Sequence, residues 1–455
     1  MSFDGLGIAL SSLQAQRRAL EVTGQNVANV ATDGYSRQRI GMAANAGSSV
    51  PAIHAKPTGV GQGVLSTEVQ RARDQFIEVR ANQEHATESN LRQVQATLDR
   101  IELAFGEPGD NGLGAQISDF LAGWDDVANK PDDGAARSQL VARAETLVAG
   151  IAQVDETLRA IRGNAVEELQ ASIVDVNATA SRVAELNQRI MVATSAGLSP
   201  NDLMDQRDLA ARHLAATVGG TVRPAEDGTI DVYMGGTTLV RGANANALEV
   251  TIDNATQTVA IVWAKDEQPA AVAGRAGGQV ATINEIVPRY RAEVLAVATQ
   301  LHDEVNAIHA TGFGLDDPPG FTGRDFFVLT GGALTVNADI VADPRKLSAS
   351  SAALTTRDGS VARSIAARTG AESGYRNFVV RLGVEAQTAN RRVEIQSAIT
   401  DQIDMAREAS SGVDIDEEMT LMIQFQHAYD AAARLMSAID QSLDTLINRT
   451  GMVGR

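Results

Sequence analysis

Apolar residues recur at alternating steps of four and three at both ends of the chain. Near the start, Leu6, Leu10, Leu13, Arg17, Leu20, Gly24 and Val27 keep that rhythm, and five of the seven are apolar. This predicts a helix with a stripe for a partner helix. The far end carries a stronger version, in which Met422, Phe425, Tyr429, Ala432, Met436, Ile439, Leu443 and Leu446 run without a polar interruption. Asp414 or Asp416 is placed to cap that helix, and the acidic residues up to Glu418 complement its positive end. Leu421, Ile423, Leu435 and Ile447 lie off the seam, more apolar surface than one partner helix would cover. The pattern by itself fits a helix buried in an ordinary domain equally well.

Between the ends the texture changes twice. Helical spacing marks 69–105, then a long run from 135 to 194 that Gly163 could kink, then 201–216, 279–309 and 377–411. From about 217 to 277, short runs such as TIDVYM, TTLV and ALEVTI are punctuated by Gly219-Gly220, Asp227-Gly228, Gly235-Gly236 and Asp253-Asn254, which predicts a small antiparallel β unit. Residues 40–68, with Gly59, Gly61 and Gly63, look extended and loop-like. A Gly/Pro-rich loop at 312–323 leads to a short strand-like piece and an irregular stretch to about 376. The expected fold is mainly α with an inserted antiparallel β domain. Terminal helices at 1–40 and 414–455 would pair in coiled-coil fashion, 41–216 and 278–413 would form a helical-bundle core, and 217–277 would be inserted.

The 455 residues suffice for two to four domains. Only 4% are aromatic, which suits long helices with narrow aliphatic seams. A net charge of −18 disfavours nucleic acid as a partner. There is no cysteine, which removes disulfides, thiolate nucleophiles and cysteine metal sites. MSFDGLGIAL has no basic n-region, so no cleavable secretory signal is expected, and no run of 18 apolar residues would span a bilayer.

Candidate chemistry is sparse. His302 and His309 sit seven apart on one predicted helix, about 10 Å of rise, too far to share a metal. His54, His85, His213 and His427 are isolated. GVGQGV at 59–64 lacks the spacing and the lysine of a phosphate cradle. The acids at 414–418 lack the ligand spacing of an EF-hand, and Asp316-Asp317 beside two prolines reads as a turn. No Gly-x-Ser-x-Gly elbow occurs. Nothing selects a catalytic pair among the 57 acids. The expectation is therefore no enzyme, no cofactor and no metal.

One short stretch is more telling. GQNVANVATDGYSRQ, residues 24–38, follows the first helix, and its Asn and Thr-Asp-Gly can end a helix and reverse the chain. Together with ALSSLQA at 9–15, it resembles the N-terminal signature of the bacterial flagellar axial proteins, the rod, hook and hook-associated family. GYSRQ at 34–38 is similar to the hook-associated branch. SPNDLMDQRD at 199–208, VNAIH at 305–309 with Gly312-Phe313 and Asp325-Phe326-Phe327, and GVDIDEEM through QFQHAY at 412–429 resemble further segments of that branch, in order.

The resemblance implies a structural subunit at the junction of hook and filament. It would assemble with itself into a ring, with hook protein below and the second junction protein, then flagellin, above. Export would use the flagellar type III channel, a chaperone would shield the C-terminal region, and the final location would be extracellular. Some members carry a further outer domain, for which no segment between about 312 and 376 is large enough. The expected assembly residues are the seam positions Leu6, Leu10, Leu13, Leu20, Val27, Met422, Phe425, Tyr429, Met436, Ile439, Leu443 and Leu446, with termini that fold on assembly. Asn26, Asn29, Gly34 and Tyr35 would shape a joint, and Ser36, Arg37 and Gln38 would meet other subunits. Alternatives are another rod or hook protein, a cytosolic coiled-coil scaffold, and a flagellum-associated peptidoglycan hydrolase.

Overall fold

The computed structural model describes residues 4–45, 61–109, 112–225 and 227–449; His54, Gly59 and Gly451 lie outside them. The chain divides into two units. The first comprises Met1–Ala86, Val176–Ala247 and Ala398–Arg455, the second Thr87–Asp175 and Leu248–Ser397. Helices with small antiparallel sheets make up both, the mainly α fold that the hydrophobic pattern implies.

In the first unit, α1 (Asp4–Ala28) lies antiparallel to α11 (Ile415–Asp444). Asn26 meets Glu418 at one end of the pair, and Gly5 lies beneath Ile439 at the other, where a β-carbon would come within 3.2 Å of Ile439 Cδ1. Asp414 caps α11, its carboxylate accepting from the backbone N–H of Asp416 at 2.8 Å and of Glu417 at 3.2 Å. The buried residues of α1 are small, Ala9, Ala15 and Ala19 with Thr23 and Asn26. Small side chains let two helix backbones approach closely, so the packed face of α1 runs one position round from its leucines.

β1 (Gln38–Ala44) and β2 (Val64–Arg71) also pack on α1, and form an antiparallel hairpin with Gln38 opposite Arg71 and a bulge between Ile40 and Met42. A paired ladder thus stands in part of the stretch expected to be extended and loop-like, extended as expected but hydrogen-bonded as a sheet. α5 (Asn201–Val218) ends on Gly219 in the left-handed conformation. The strands β3 (Thr221–Pro224), β4 (Ile230–Met234), β5 (Thr237–Arg241) and β6 (Asn244–Ala245) follow as a four-stranded meander.

The second unit is built around Phe120, Trp124, Phe326 and Phe327, whose rings stack edge-on or tilted at centroid distances of 4.7–6.3 Å. Phe120 and Trp124 come from α3 (Leu113–Asn129), an element the pattern reading leaves out, although Leu113, Ile117, Phe120, Trp124 and Val127 step by four and three. Parts of α2 (Gln75–Phe105), α4 (Gly134–Ser195) and α10 (Gly370–Ser411), with α7 (Val287–His309), complete the core, and α6 (Gly274–Ala281), α8 (Ala338–Ala342) and α9 (Ser360–Ala366) are the short helices of this unit. Gly163 leaves α4 uninterrupted. Asn306 holds the aromatic segment in place: its Oδ1 accepts from the N–H of Phe326 and Phe327 at 2.9 and 3.0 Å, and its Nδ2 donates to Phe327 O at 2.8 Å.

The β-rich stretch at 217–277 forms two sheets, one in each unit. In the first unit Asn187 of α4 acts as a surrogate strand partner, accepting from Ile230 N at 3.0 Å and donating to Ile230 O and Gly242 O at 2.8 Å. In the second, Asn284 does the same for Val259, at 2.8 and 2.7 Å, and so anchors the hairpin of β7 (Leu248–Ile252) and β8 (Val259–Trp263). Each sheet is thus tied to a different helix by one carboxamide, that of Asn187 buried and that of Asn284 half-buried.

Candidate functional site

Beyond Ala28 the chain closes two turns, Thr32 N–H donating to Asn29 O and Tyr35 N–H to Thr32 O. Gly34 takes φ +79°, the left-handed region that a β-carbon disfavours, and sits against Leu209. Asn29 stays local, donating to Gln25 O at 2.9 Å and accepting from Thr32 Oγ1 at 3.1 Å. The corner therefore reverses the chain and feeds it into β1.

Asn26 stands at the centre of what this reversal builds. Its Oδ1 accepts from Tyr35 Oη and from Gln38 N, both at 2.9 Å, while its Nδ2 donates to Gln38 O at 2.9 Å and Glu418 Oε2 at 3.0 Å. A carboxamide has two donors and two acceptor sites, and all four are used. Glu418, 1% exposed, also accepts from Arg37 Nε at 2.7 Å. Arg37 reaches on to Glu417 at 2.6 Å, and its backbone N–H donates to Ser411 O. One side-chain cluster thus joins the end of α1, the start of β1 and the first turn of α11.

The same strand is tied to α5. Ser36 N donates to Asp205 Oδ2 at 3.2 Å, and Asn201 Nδ2 donates to Gln38 Oε1 at 3.2 Å and Val69 O at 2.9 Å. Arg71 bridges Asp205 and Asp208 at 2.9 and 2.8 Å, while Arg73 and Arg207 close on Asp208 from other sides. Burial acts to raise the Asp208 pKa, yet the charges of Arg207, Arg73 and Arg71 outweigh it and hold the carboxyl below its usual range. Arg37 shows the converse: burial opposes its charge, and the bonds and charges of Glu417 and Glu418 overcome that and raise its pKa. Burial, then the carboxylates Asp205, Asp202 and Glu418, push the Tyr35 hydroxyl far up, so it remains a hydrogen-bond donor. The arrangement binds elements together; its carboxylates are engaged by N–H donors.

The residues expected at this site divide into three groups. Asn26, Gly34 and Tyr35 shape the joint, and Asn29 closes its turn. Ser36, Arg37 and Gln38, expected as subunit contacts, are buried within the first unit, where the Ser36 N–H meets Asp205, Arg37 meets Glu417 and Glu418, and Gln38 meets Asn26 and Asn201. Of the seam residues, Ile439 is buried. Leu6, Leu13, Leu20, Val27, Met422, Phe425, Met436 and Leu443 are half-buried, whereas Leu10, Tyr429 and Leu446 are exposed. A groove of about 670 Å³ runs beside them, lined by Ala19, Val22, Ile40, Leu421 and Phe425, with Arg37 and Glu418 in its wall. Arg71, Arg73, Asp205 and Asp208 are joint residues that pattern reasoning did not single out.

Comparison with known proteins bears on what such a joint belongs to. Residues 98–327, just over half of the chain, match the family described as "Flagellar hook-associated protein FlgK helical domain". The chain belongs to the FlgK family. FlgK is a family of structural flagellar proteins, not of enzymes, and the chain is a component of the bacterial flagellum. Residues 6–35 match "Flagella basal body rod protein" and residues 408–449 "Flagellar basal body rod FlgEFG protein C-terminal", and these segments include Asn26, Gly34, Tyr35, Glu417 and Glu418 of the joint.

"Flagellar hook-associated protein 1" of Bacillus subtilis is 28% identical over 509 aligned residues, taking in 100% of this chain and 99% of the relative. Its namesake in Salmonella typhimurium is 29% identical over 332 residues, 70% of this chain and 58% of the relative's length. A solved structure, "The structure of the flagellar hook junction protein FlgK from Burkholderia pseudomallei", matches with 25% identity and a TM-score of 0.49, over 55% of this chain and 47% of the other. Among the described residues of this FlgK-family chain, no helix is long and apolar enough to cross a membrane.

Proposed function

We propose that this chain is the subunit that joins hook to filament and is required for filament attachment. The observation that carries this reading is the uncovered face of the terminal helix pair. Ile415, Met419 and Ile423, at i, i+4 spacing on α11, are 44–53% exposed, as are Leu435 and, on α1, Leu10. A contiguous apolar row on a folded helix is a surface for another chain. Neighbouring copies in a ring would cover it, with hook protein on one side and the second junction protein, then flagellin, on the other. A cytosolic chaperone would shield the same row on α11 before export through the flagellar type III channel to the extracellular structure.

Few side chains of the pair are fully buried, which fits terminal helices that reach full order on assembly. Limited proteolysis of the soluble chain tests that: cuts at the ends of α1 and α11 far from the joint are expected, with Asn26, Arg37 and Glu418 protected, and full protection of both ends would overturn it.

The function is tested in a deletion strain. Electron microscopy should show hooks without filaments and flagellin in the medium, restored by the wild-type chain but not by Ile423→Asp or Leu435→Asp. Both positions are exposed, so these variants should fold normally. Normal filaments on the two variants would remove the role of the row, and filaments on the deletion strain itself would remove the function.

A further inference from the structure

Behind the corner, within the first unit, a polar cavity of about 360 Å³ is walled by the turn from Asn29 to Ser36, the end of α10 and the side chains of Arg73, Arg212 and Arg407. Three guanidinium groups in one cavity call for compensation, and the carboxylates present supply it unevenly. Arg73 pairs closely with Glu78, at 2.8 Å, and with Asp208. Arg212 reaches the already engaged Glu78 only at 3.8 Å, and Arg407 pairs with Asp404 at 3.3 Å. Two donors are left over: Arg212 Nε and Arg407 Nη1 are buried and have no hydrogen-bond partner. Leaving a buried donor of a charged group unbonded is costly. Burial first, then the charge of Arg407, lowers the Arg212 pKa, while Glu78 and a weaker pull from Asp33 act the other way. Asp33 and Glu408 also line the cavity, but both are exposed.

We propose that this cavity binds one small oxyanion, a carboxylate or phosphate group, through Arg212 and Arg407. Guanidinium N–H groups match the paired oxygens of such an anion, and its charge relieves the repulsion among the three arginines. A neutral ligand would fill the space without doing so. The inference stands on the cavity alone and does not rest on the junction reading. Two sources carry the same chemistry: free phosphate, or an acidic side chain of a second copy, of which a chain with 57 Asp and Glu residues has many.

The test is thermal unfolding of the full chain in sodium phosphate or sodium acetate, with ionic strength held constant by chloride. The midpoint should rise and saturate with phosphate or acetate. In Arg212→Gln and Arg407→Gln the apparent affinity should fall at least tenfold, with Arg407→Lys intermediate because it keeps charge and loses the fork. A rise that never saturates, or one identical in all variants, overturns the proposal. Should a variant fail to fold, wild-type crystals soaked in selenate give a second reading: anomalous signal between Arg212 and Arg407 supports the site, and its absence at saturating selenate overturns it. Sedimentation velocity then separates the sources. Phosphate that competes with self-association points to a neighbour's carboxylate, and phosphate that leaves association unchanged points to the free anion.

Discussion

Asn26 and Glu418, 392 positions apart in the sequence, meet side chain to side chain at 3.0 Å in the interior of the first unit. The contact sets where α1 begins its turn relative to where α11 starts, because Asn26 also holds Gln38 and Tyr35. Replacing Asn26 by Ala would leave the Gln38 amide, the Tyr35 hydroxyl and part of Glu418 unbonded. Each such loss costs about 1–3 kcal/mol, so a total near 3 kcal/mol or more is expected. Urea unfolding measures the total, and faster hydrogen exchange at the Gln38 amide would locate it. A cost under about 1 kcal/mol would show that the carboxamide is peripheral to the joint.

The ion pair beside it makes a separate prediction. Arg37 is the cation in contact with the buried Oε1 of Glu418, at 2.7 Å. Arg37→Met strands that carboxylate, and removing one partner of a buried pair costs about 3–5 kcal/mol. Arg37→Met combined with Glu418→Met should cost clearly less than the sum of the single changes, because neither variant charge is then left alone. Additive costs in this double-mutant cycle would mean that the two groups do not depend on each other.

How much of this was legible in the sequence depends on the range of the forces involved. The corner was readable because Asn, Thr-Asp-Gly and the end of a periodic run act within a few residues, and Gly34 does take a positive φ. The cap at Asp414 was readable for the same reason. Segments picked out by resemblance turn out to touch: the joint unites parts of 24–38, 199–208 and 412–418, and Asn306 binds Phe326 and Phe327. The ladder of Arg71, Arg73, Asp205 and Asp208 was not readable, since 39 basic and 57 acidic side chains permit any pairing until the fold selects one. Nor was the division of the β stretch, which hangs on Asn187 and Asn284, two polar residues on helices with no local signal for a strand partner. The packed face of α1 was displaced because hydrophobic weighting favours leucine, whereas close helix approach favours alanine.

Gly34 offers a test of the corner that leaves the network's side chains untouched. At φ +79° a β-carbon is strained, and it would also stand 3.3 Å from Leu209 Cβ. Gly34→Ala should lower stability by about 1–2 kcal/mol. Gly34→Asn should recover part of the conformational cost, because Asn adopts the left-handed region more readily than Ala. If the two variants unfold at the same denaturant concentration, backbone strain is not what the glycine relieves.

His309 makes the second unit sensitive to acid. It is fully buried, its Nδ1–H donates to Arg324 O at 2.7 Å, and its Nε2 accepts from Ser348 N–H at 2.9 Å. Protonation would turn that acceptor into a donor facing a donor. Burial, with the nearby charges of Arg324 and Arg137, lowers its pKa to about 4, against pulls upward from the Arg324 carbonyl and Asp317. The unfolded chain, with a pKa near 6.5, therefore binds the proton more readily than the folded one. The resulting stability is fully present above about pH 6.5 and is lost as pH falls towards about 4, a change of order 3 kcal/mol. His309→Gln, which can keep one donor and one acceptor, should flatten this part of the pH profile, so the wild-type minus variant difference isolates the histidine from the carboxylates titrating below it. Direct titration of His309 by NMR provides the sharper check, and a pKa at or above the unperturbed value would mean that the buried neutral ring is not what holds Arg324 and Ser348 together.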